Sequence, residues 1–218
     1  MGVMCRCDGC LIGTFGCCNL KPTYVRIPHY TFPAAKRRTP GITMFTYGSR
    51  TEQGAVGYSV VRKDGLGCDG VKSHMGYNQE AFDAGCAAIT SALELVAKRS
   101  GSPGRVPIFS DAQAAIRRMA PEKPGPGQVH AIEVRRWIAA TWRANPAVAI
   151  EIRWCPAHKG VTGDKADEWA KVATEEPDTW GVEWLRTGGG AARQMPLPRS
   201  LANFKREISK KKWTEARE

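Results

Sequence analysis

The chain has 218 residues, 42% of them hydrophobic, and its 32 Lys and Arg residues against 21 Asp and Glu give a formal net charge of +11. This length predicts a single ordinary domain with flanking segments, and no apolar run reaches the roughly 18 residues needed to span a bilayer, which argues against a membrane protein. The net charge is +5 over residues 1–40, +2 over 41–177 and +4 over 178–218. The basic flanks favour a polyanionic partner such as nucleic acid, although a solvated basic tail would explain the charge equally well.

Residues 1–41 are predicted to form an unstructured, basic, Cys-rich leader, because they mix Cys, Gly, Pro and Arg without a hydrophobic period. Five of the eight cysteines fall within the first 18 residues, and no stretch there resembles a secretory signal. A reducing, intracellular compartment is therefore favoured, with cytoplasm and nucleus left open. The cysteine spacing could ligate zinc, but no second ligand pair follows at a zinc-finger distance, so a thiol-rich leader is the preferred interpretation.

The folded domain is predicted to cover residues 42–176, and it begins with strand patterns. Three β-rich runs predict an antiparallel meander, at residues 42–46, 54–62 and 70–75. Gly48 and Ser49 are predicted to form the turn after the first strand. The first part of the domain is therefore expected to be an antiparallel sheet.

Helices then alternate with strands. Helices are predicted over residues 80–98, 114–119, 129–144 and from Asp164 onward, with strands at 106–110 and 149–154. The order β-β-β-α-β-α-α-β-α predicts an α/β fold with a five-stranded mixed sheet, an antiparallel meander followed by parallel strands, flanked by helices. Asp111 directly follows the fourth strand, at the sheet edge where ligands bind in such folds, and it could also serve as the N-cap of the next helix.

Residues 177–218 are predicted to be a linker and a basic C-terminal tail. A helical pattern over residues 199–217 carries Leu201, Phe204 and Ile208 beside several lysines. We expect this tail to pack on a neighbouring molecule or to stay loose, rather than to act as a dedicated nucleic-acid helix.

Four segments, taken together and in this order, resemble a type 1 ribonuclease H domain, most of all the one that follows the reverse transcriptase in non-LTR retrotransposon polyproteins. They are Thr46–Ser49, Ala81–Ile89, Ile108–Ala114 and Trp154–Trp169. The resemblance implies the ribonuclease H-like fold and an RNA/DNA-hybrid substrate. In that family, four carboxylates hold two Mg²⁺ (or Mn²⁺) ions, which activate a water and stabilise the leaving oxygen while the RNA strand is hydrolysed.

Only half of that carboxylate set is present in this chain. Asp111 and Asp167 match two of the four carboxylates and would be the metal ligands, and His158 matches the family's loop histidine. Tyr47 and Gly85 stand where the first aspartate and the helix glutamate are expected. A neutral phenol is a poor Mg²⁺ ligand, and a helical glycine costs about 1 kcal/mol relative to alanine, with no compensation visible in the sequence.

The histidine loop is also one residue shorter than the family pattern. If the last helix begins with Asp164 as its N-cap, Asp167 is turned by about 100° from the expected direction. The sequence therefore predicts a degenerate retrotransposon fragment, a ribonuclease H-like nucleic-acid-binding domain with impaired catalysis and an open oligomeric state. Two alternatives remain: weak metal-dependent hydrolysis through Asp111 and Asp167, and a purely non-catalytic nucleic-acid-binding module.

Overall fold

A computed structural model of the chain describes residues 42–64, 67–99, 105–120, 123–155, 161–175 and 197–217. The predicted leader, the loop that contains His158 and most of the predicted linker lie outside the described residues. Within the described ranges are the strands β1 Thr43–Arg50, β2 Val56–Asp64, β3 Gly67–Gly76, β4 Arg105–Ser110 and β5 Ala149–Trp154, and the helices α1 Ala81–Ala97, α2 Gln113–Met119, α3 Gln128–Ala144, α4 Val161–Glu175 and α5 Leu201–Glu215. None of the described helices is long and apolar enough to cross a membrane.

The strands form one mixed sheet in the order β3-β2-β1-β4-β5. β1 pairs antiparallel with β2, which pairs antiparallel with β3, whereas β4 runs parallel to both β1 and β5. The predicted meander followed by parallel strands is therefore confirmed. Because β1 is central, Thr46 pairs with Val60 on one side and with Ser110 on the other, which brings the end of β4 next to Tyr47.

Helices cover the sheet on both faces. The larger core lies against α1, α2 and α3, where the stripe of α1 contributes Cys86, Ile89 and Leu93, all fully buried. The smaller core lies against α4, where Tyr47 and Val61 pack on Ala166 and Ala170. Alternate residues of β1 supply the two cores, as expected for a strand buried on both faces.

β1 is longer than predicted, and Gly48 and Ser49 do not form a turn. Both lie within the strand, and the chain reverses between Thr51 and Ala55, where the Thr51 N–H donates to the Ala55 carbonyl at 2.8 Å. Gly48 has a packing role instead. A Cβ at this position would lie 2.5 Å from the Gly85 backbone nitrogen, so the absence of a side chain lets α1 approach the sheet.

The C-terminal tail contains the helix α5. The first turn of α5 packs on the domain itself, whereas the tail was expected to be loose or to pack on a neighbouring molecule. Ser200 caps α5 and donates its hydroxyl to Asp83 at 2.6 Å, and the Asn203 amide donates to Glu80 at 2.7 Å. Arg206 completes the contact with an ion pair to Glu80 at 2.8 Å. The tail is thus anchored at the N-terminal end of α1.

Candidate active site

Tyr47 is the central residue of the candidate site. Its ring points from β1 toward α4, packs against Ala166 and Ala170, and is only 2% exposed. Burial raises the pKa of the phenol above its ordinary value, and the nearby groups of Cys155, Asp111 and Asp167 raise it further by repelling the phenolate. At neutral pH, Tyr47 is therefore an uncharged phenol surrounded by acidic groups.

Cys155 is a neighbour of Tyr47 in the candidate site. Burial and repulsion by Asp111 raise the pKa of the thiol to about 11, and the hydrogen bond from Tyr47 works in the opposite direction. Cys155 follows β5, and its backbone N–H donates to the Ser110 carbonyl at 2.9 Å. This pairing ties the ends of β4 and β5 together immediately beside Tyr47.

Asp111 is half-buried at the end of β4. Its backbone carbonyl accepts a hydrogen bond from the Trp154 indole at 3.1 Å, which fixes the chain at this point. The prediction that Asp111 caps α2 is wrong: the N-cap is Ala112, and its backbone N–H is bound by the Ser110 hydroxyl at 3.3 Å.

Asp167 approaches Tyr47 from α4. Its carboxylate accepts a hydrogen bond from Lys171, one turn later, at 2.7 Å, and its side chain is 18% exposed. Thr46 pairs with Ser110, and Tyr47 packs on Ala166, so the structure brings Tyr47 close to Asp111 and Asp167. His158, a further predicted site residue, lies outside the described residues.

α4 begins at Val161, three residues before the predicted start. Asp164 therefore lies in the first turn of α4, where a negative charge is favoured by the helix dipole, and is not its N-cap. The expected 100° rotation of Asp167 assumed a helix starting at Asp164, so that argument no longer holds. Asp164 itself is exposed but still contributes to the raised pKa of Tyr47.

Gly85 does have a compensating role, contrary to the expectation from sequence. A Cβ at this position would lie 2.8 Å from the Cβ of Ala112 and 3.4 Å from that of Ala115. The first distance is shorter than real carbon contacts, so a larger residue requires α1 and α2 to move apart. Gly85 thus permits close packing of α1 on α2, and Gly48 permits close packing of α1 on β1.

No protein-family model and no curated protein matches the chain. Among solved structures, the ribonuclease H1 of the halophilic archaeon Halobacterium salinarum NRC-1 is similar, with 16% sequence identity and a TM-score of 0.50, over 62% of this chain and 97% of that chain. The chain has a ribonuclease H-like fold. At this identity the similarity establishes the architecture only, and 38% of the chain lies outside the match.

Ribonuclease H-like enzymes use Mg²⁺, and the residues at this site can be compared with the ligands that such ions require. Two hard cations require several anionic oxygens at once. Here Tyr47 is a buried neutral phenol, and the space beside Gly85 is filled by Ala112. Across the described part of the chain, no group of three or more His, Cys, Asp or Glu side chains is placed to hold a metal ion. The described residues therefore do not fit a two-metal centre.

Sequence reasoning missed two residues that define this site. Cys155 was predicted to be a small buried residue, which it is at 5% exposure, but its place beside Tyr47 was not expected. Ala112 was not considered at all. No local sequence signal indicates its contact with position 85, which depends on how α1 packs on α2.

Proposed function

We propose that the chain is a degenerate ribonuclease H-like domain from a non-LTR retrotransposon polyprotein, which binds nucleic acid and has little or no hydrolytic activity. The observation that carries the proposal is the buried, neutral Tyr47 between Asp111 and Asp167. A phenol with a raised pKa cannot supply the negative charge that in-line attack on a phosphodiester demands from a bridging ligand. Its ring is instead buried against Ala166 and Ala170.

The second substituted position supports the same proposal independently. A glutamate at position 85 would have its Cβ only 2.8 Å from the Ala112 Cβ, so there is no room for its side chain. Two changes on different elements, β1 and α1, thus remove two ligands of one proposed centre. On α1, the nearby carboxylates Asp83 and Glu80 are engaged with α5 at the end of the helix.

Nucleic-acid binding is proposed from charge and from fold. The chain carries a formal charge of +11, and the similar archaeal protein is a ribonuclease H1. Phosphate contacts by Lys and Arg release counterions, so such binding weakens steeply with salt. We expect affinity for an RNA/DNA hybrid to fall with a clear linear slope of log K against log salt, and an affinity independent of salt would refute this part of the proposal.

Hydrolysis is tested with an end-labelled RNA/DNA hybrid in Mg²⁺ and, separately, in Mn²⁺. We expect no more product than in the protein-free reaction, and a rate comparable with that of an intact ribonuclease H would overturn the proposal. A second candidate function is weak hydrolysis, favoured by the convergence of Asp111 and Asp167 on one site. Slow cleavage that Asp111→Asn abolishes would support that candidate, whereas cleavage unchanged in Asp111→Asn would identify a contaminating nuclease.

Reconstruction of the site provides a sharper test. Tyr47→Asp with Gly85→Glu restores both carboxylates but leaves the Ala112 contact in place. We therefore expect the double variant to remain inactive and the triple variant with Ala112→Gly to gain metal-dependent cleavage. Ala114→Gly, at an exposed position of α2, is the matched control for Ala112→Gly. A folded triple variant that is still inert would show that the two lost carboxylates are not what limits hydrolysis.

A further inference from the structure

α5 projects from the domain after its first two turns. Every residue from Ile208 to Arg217 is exposed, although the first turn is anchored at α1. Four of the seven exposed large hydrophobic residues in the described chain lie on this helix, and Trp213, at 67%, is the most exposed of them. Most helices of this length gain their stability by packing one face on a protein surface, so a projecting helix with an exposed tryptophan indicates an interaction surface.

The side chains around Trp213 are basic. Lys210 and Arg217 stand three residues before and four residues after Trp213, and the three line one open recess together with Thr214. Arg206 and Lys211 of α5 form ion pairs, whereas Lys210, Lys212 and Arg217 form none with any described residue. We call Lys210, Trp213 and Arg217 the Trp213 face. It combines an exposed aromatic ring with two cationic groups available to a partner.

A second surface of α5 is separate from this one. The apolar stripe consists of Leu201, Phe204 and Ile208, and Trp213 lies about 140° around the helix from Ile208. A helix that lies on a lipid surface needs its apolar residues on one side, so this division argues against a membrane. Two copies of the helix pairing through the Trp213 face would bring like charges together, which argues against self-association there.

We propose that the Trp213 face binds single-stranded nucleic acid, with Trp213 stacking on an unpaired base and Lys210 and Arg217 contacting the flanking phosphates. An aromatic platform between basic side chains is the arrangement that binds single strands without sequence preference. This inference deepens the proposed nucleic-acid-binding function and rests on it. In this arrangement the domain binds the hybrid duplex, and α5 holds an unpaired strand next to it.

The test measures binding of a fluorescein-labelled single-stranded RNA or DNA oligonucleotide by anisotropy over a series of salt concentrations. We expect Trp213→Ala to weaken binding by about 5- to 100-fold. Lys210→Gln with Arg217→Gln should reduce the slope of log K against log salt by about 1.4, since each phosphate contact contributes about 0.7 for a single strand. Equal affinity of the wild type and Trp213→Ala for the single strand would overturn the inference.

Phe204→Ser with Ile208→Ser, on the apolar stripe of the same helix, is the matched control. It should leave single-strand binding unchanged, and a loss as large as that of Trp213→Ala would instead indicate that the whole helix packs on another molecule. Binding of vesicles containing phosphatidylserine, without binding of the oligonucleotide, would also overturn the inference. The RNA/DNA hybrid is measured in parallel: hybrid binding without single-strand binding refutes only this inference, whereas loss of both refutes the proposed function.

Discussion

The contact between Gly85 and Ala112 offers a direct test of the packing at the candidate site. In Gly85→Ala, the new Cβ would lie 2.8 Å from the Ala112 Cβ, whereas carbon atoms in contact prefer about 3.5–4.0 Å. Over-packing of this kind costs about 1–3 kcal/mol, and the better helix propensity of alanine returns about 1 kcal/mol. We therefore expect Gly85→Ala to lower the free energy of unfolding by about 1 kcal/mol.

Removal of the opposing methyl group should reverse this effect. Ala112 lies outside the helical interior of α2, so Ala112→Gly alone should cost less than about 1 kcal/mol. In the double variant Gly85→Ala with Ala112→Gly, the clash is absent and the propensity gain remains. The two substitutions should therefore be coupled by about 1–2 kcal/mol, within the range measured for residues in contact.

Urea unfolding of the wild type, both single variants and the double variant measures this coupling by linear extrapolation. The control is Ala114→Gly, an exposed position on the same helix. Its effect on the free energy of unfolding should add to that of Gly85→Ala. A Gly85→Ala variant that is about 1 kcal/mol more stable than the wild type would refute the reasoning. Additivity within about 0.5 kcal/mol for Gly85→Ala and Ala112→Gly would do so as well.

Three further outcomes follow from charge and burial. Tyr47→Asp should lower stability at pH 7 by more than about 3 kcal/mol, and Mg²⁺ should raise the melting temperature of this variant but not of the wild type. Burial raises the pKa of Asp83 despite the hydrogen bond from Ser200. The contribution of Asp83 to the free energy of unfolding is therefore fully present below about pH 3.9 and is lost as pH rises. In urea titrations, the stability of the wild type relative to Asp83→Asn should fall from about pH 4 upward. Burial acts to raise the pKa of Glu151, but two hydrogen bonds from Arg105, both 2.9 Å, outweigh burial and lower the pKa. The wild type should therefore be more stable than Arg105→Ala by about 1 kcal/mol at pH 7. This difference in stability should disappear in thermal melts below about pH 4.

The elements that the sequence predicted well are those with a strong local period. The spacing of Phe82, Cys86, Ile89 and Leu93 reports one buried helix face directly, and α1 lies within two residues of its predicted bounds. The errors are of a different kind. Gly48 was interpreted as a turn because glycine is a local turn signal, whereas its role depends on Gly85, 37 residues away in the chain and adjacent only in the fold.

Contacts between distant segments account for the other differences. The docking of α5 depends on Ser200 and Asp83, which are 117 residues apart, and no local pattern relates them. For the candidate site, the family resemblance identified Tyr47, Gly85, Asp111 and Asp167 by position, but only the packing of α1 on α2 reveals that position 85 has no room for a side chain. The sequence named candidate residues, but the space around position 85 could be determined only from the fold.

The substitution at position 47 has opposite effects on chemistry and on stability. Aspartate there would place a fourth carboxylate beside Asp111, Asp164 and Asp167, whose charges already repel the Tyr47 phenolate, and such a cluster needs cations to offset its repulsion. The tyrosine ring replaces that repulsion with apolar burial against Ala166 and Ala170. Under the proposed function, this burial would stabilise the fold without metal at the expense of catalysis. Under the proposed function, a neutral residue at position 47 would leave a glutamate at position 85 without a cation to bind, and a glycine there lets α1 and α2 pack closely. Recovery of catalysis would then require changes on β1, α1 and α2 together.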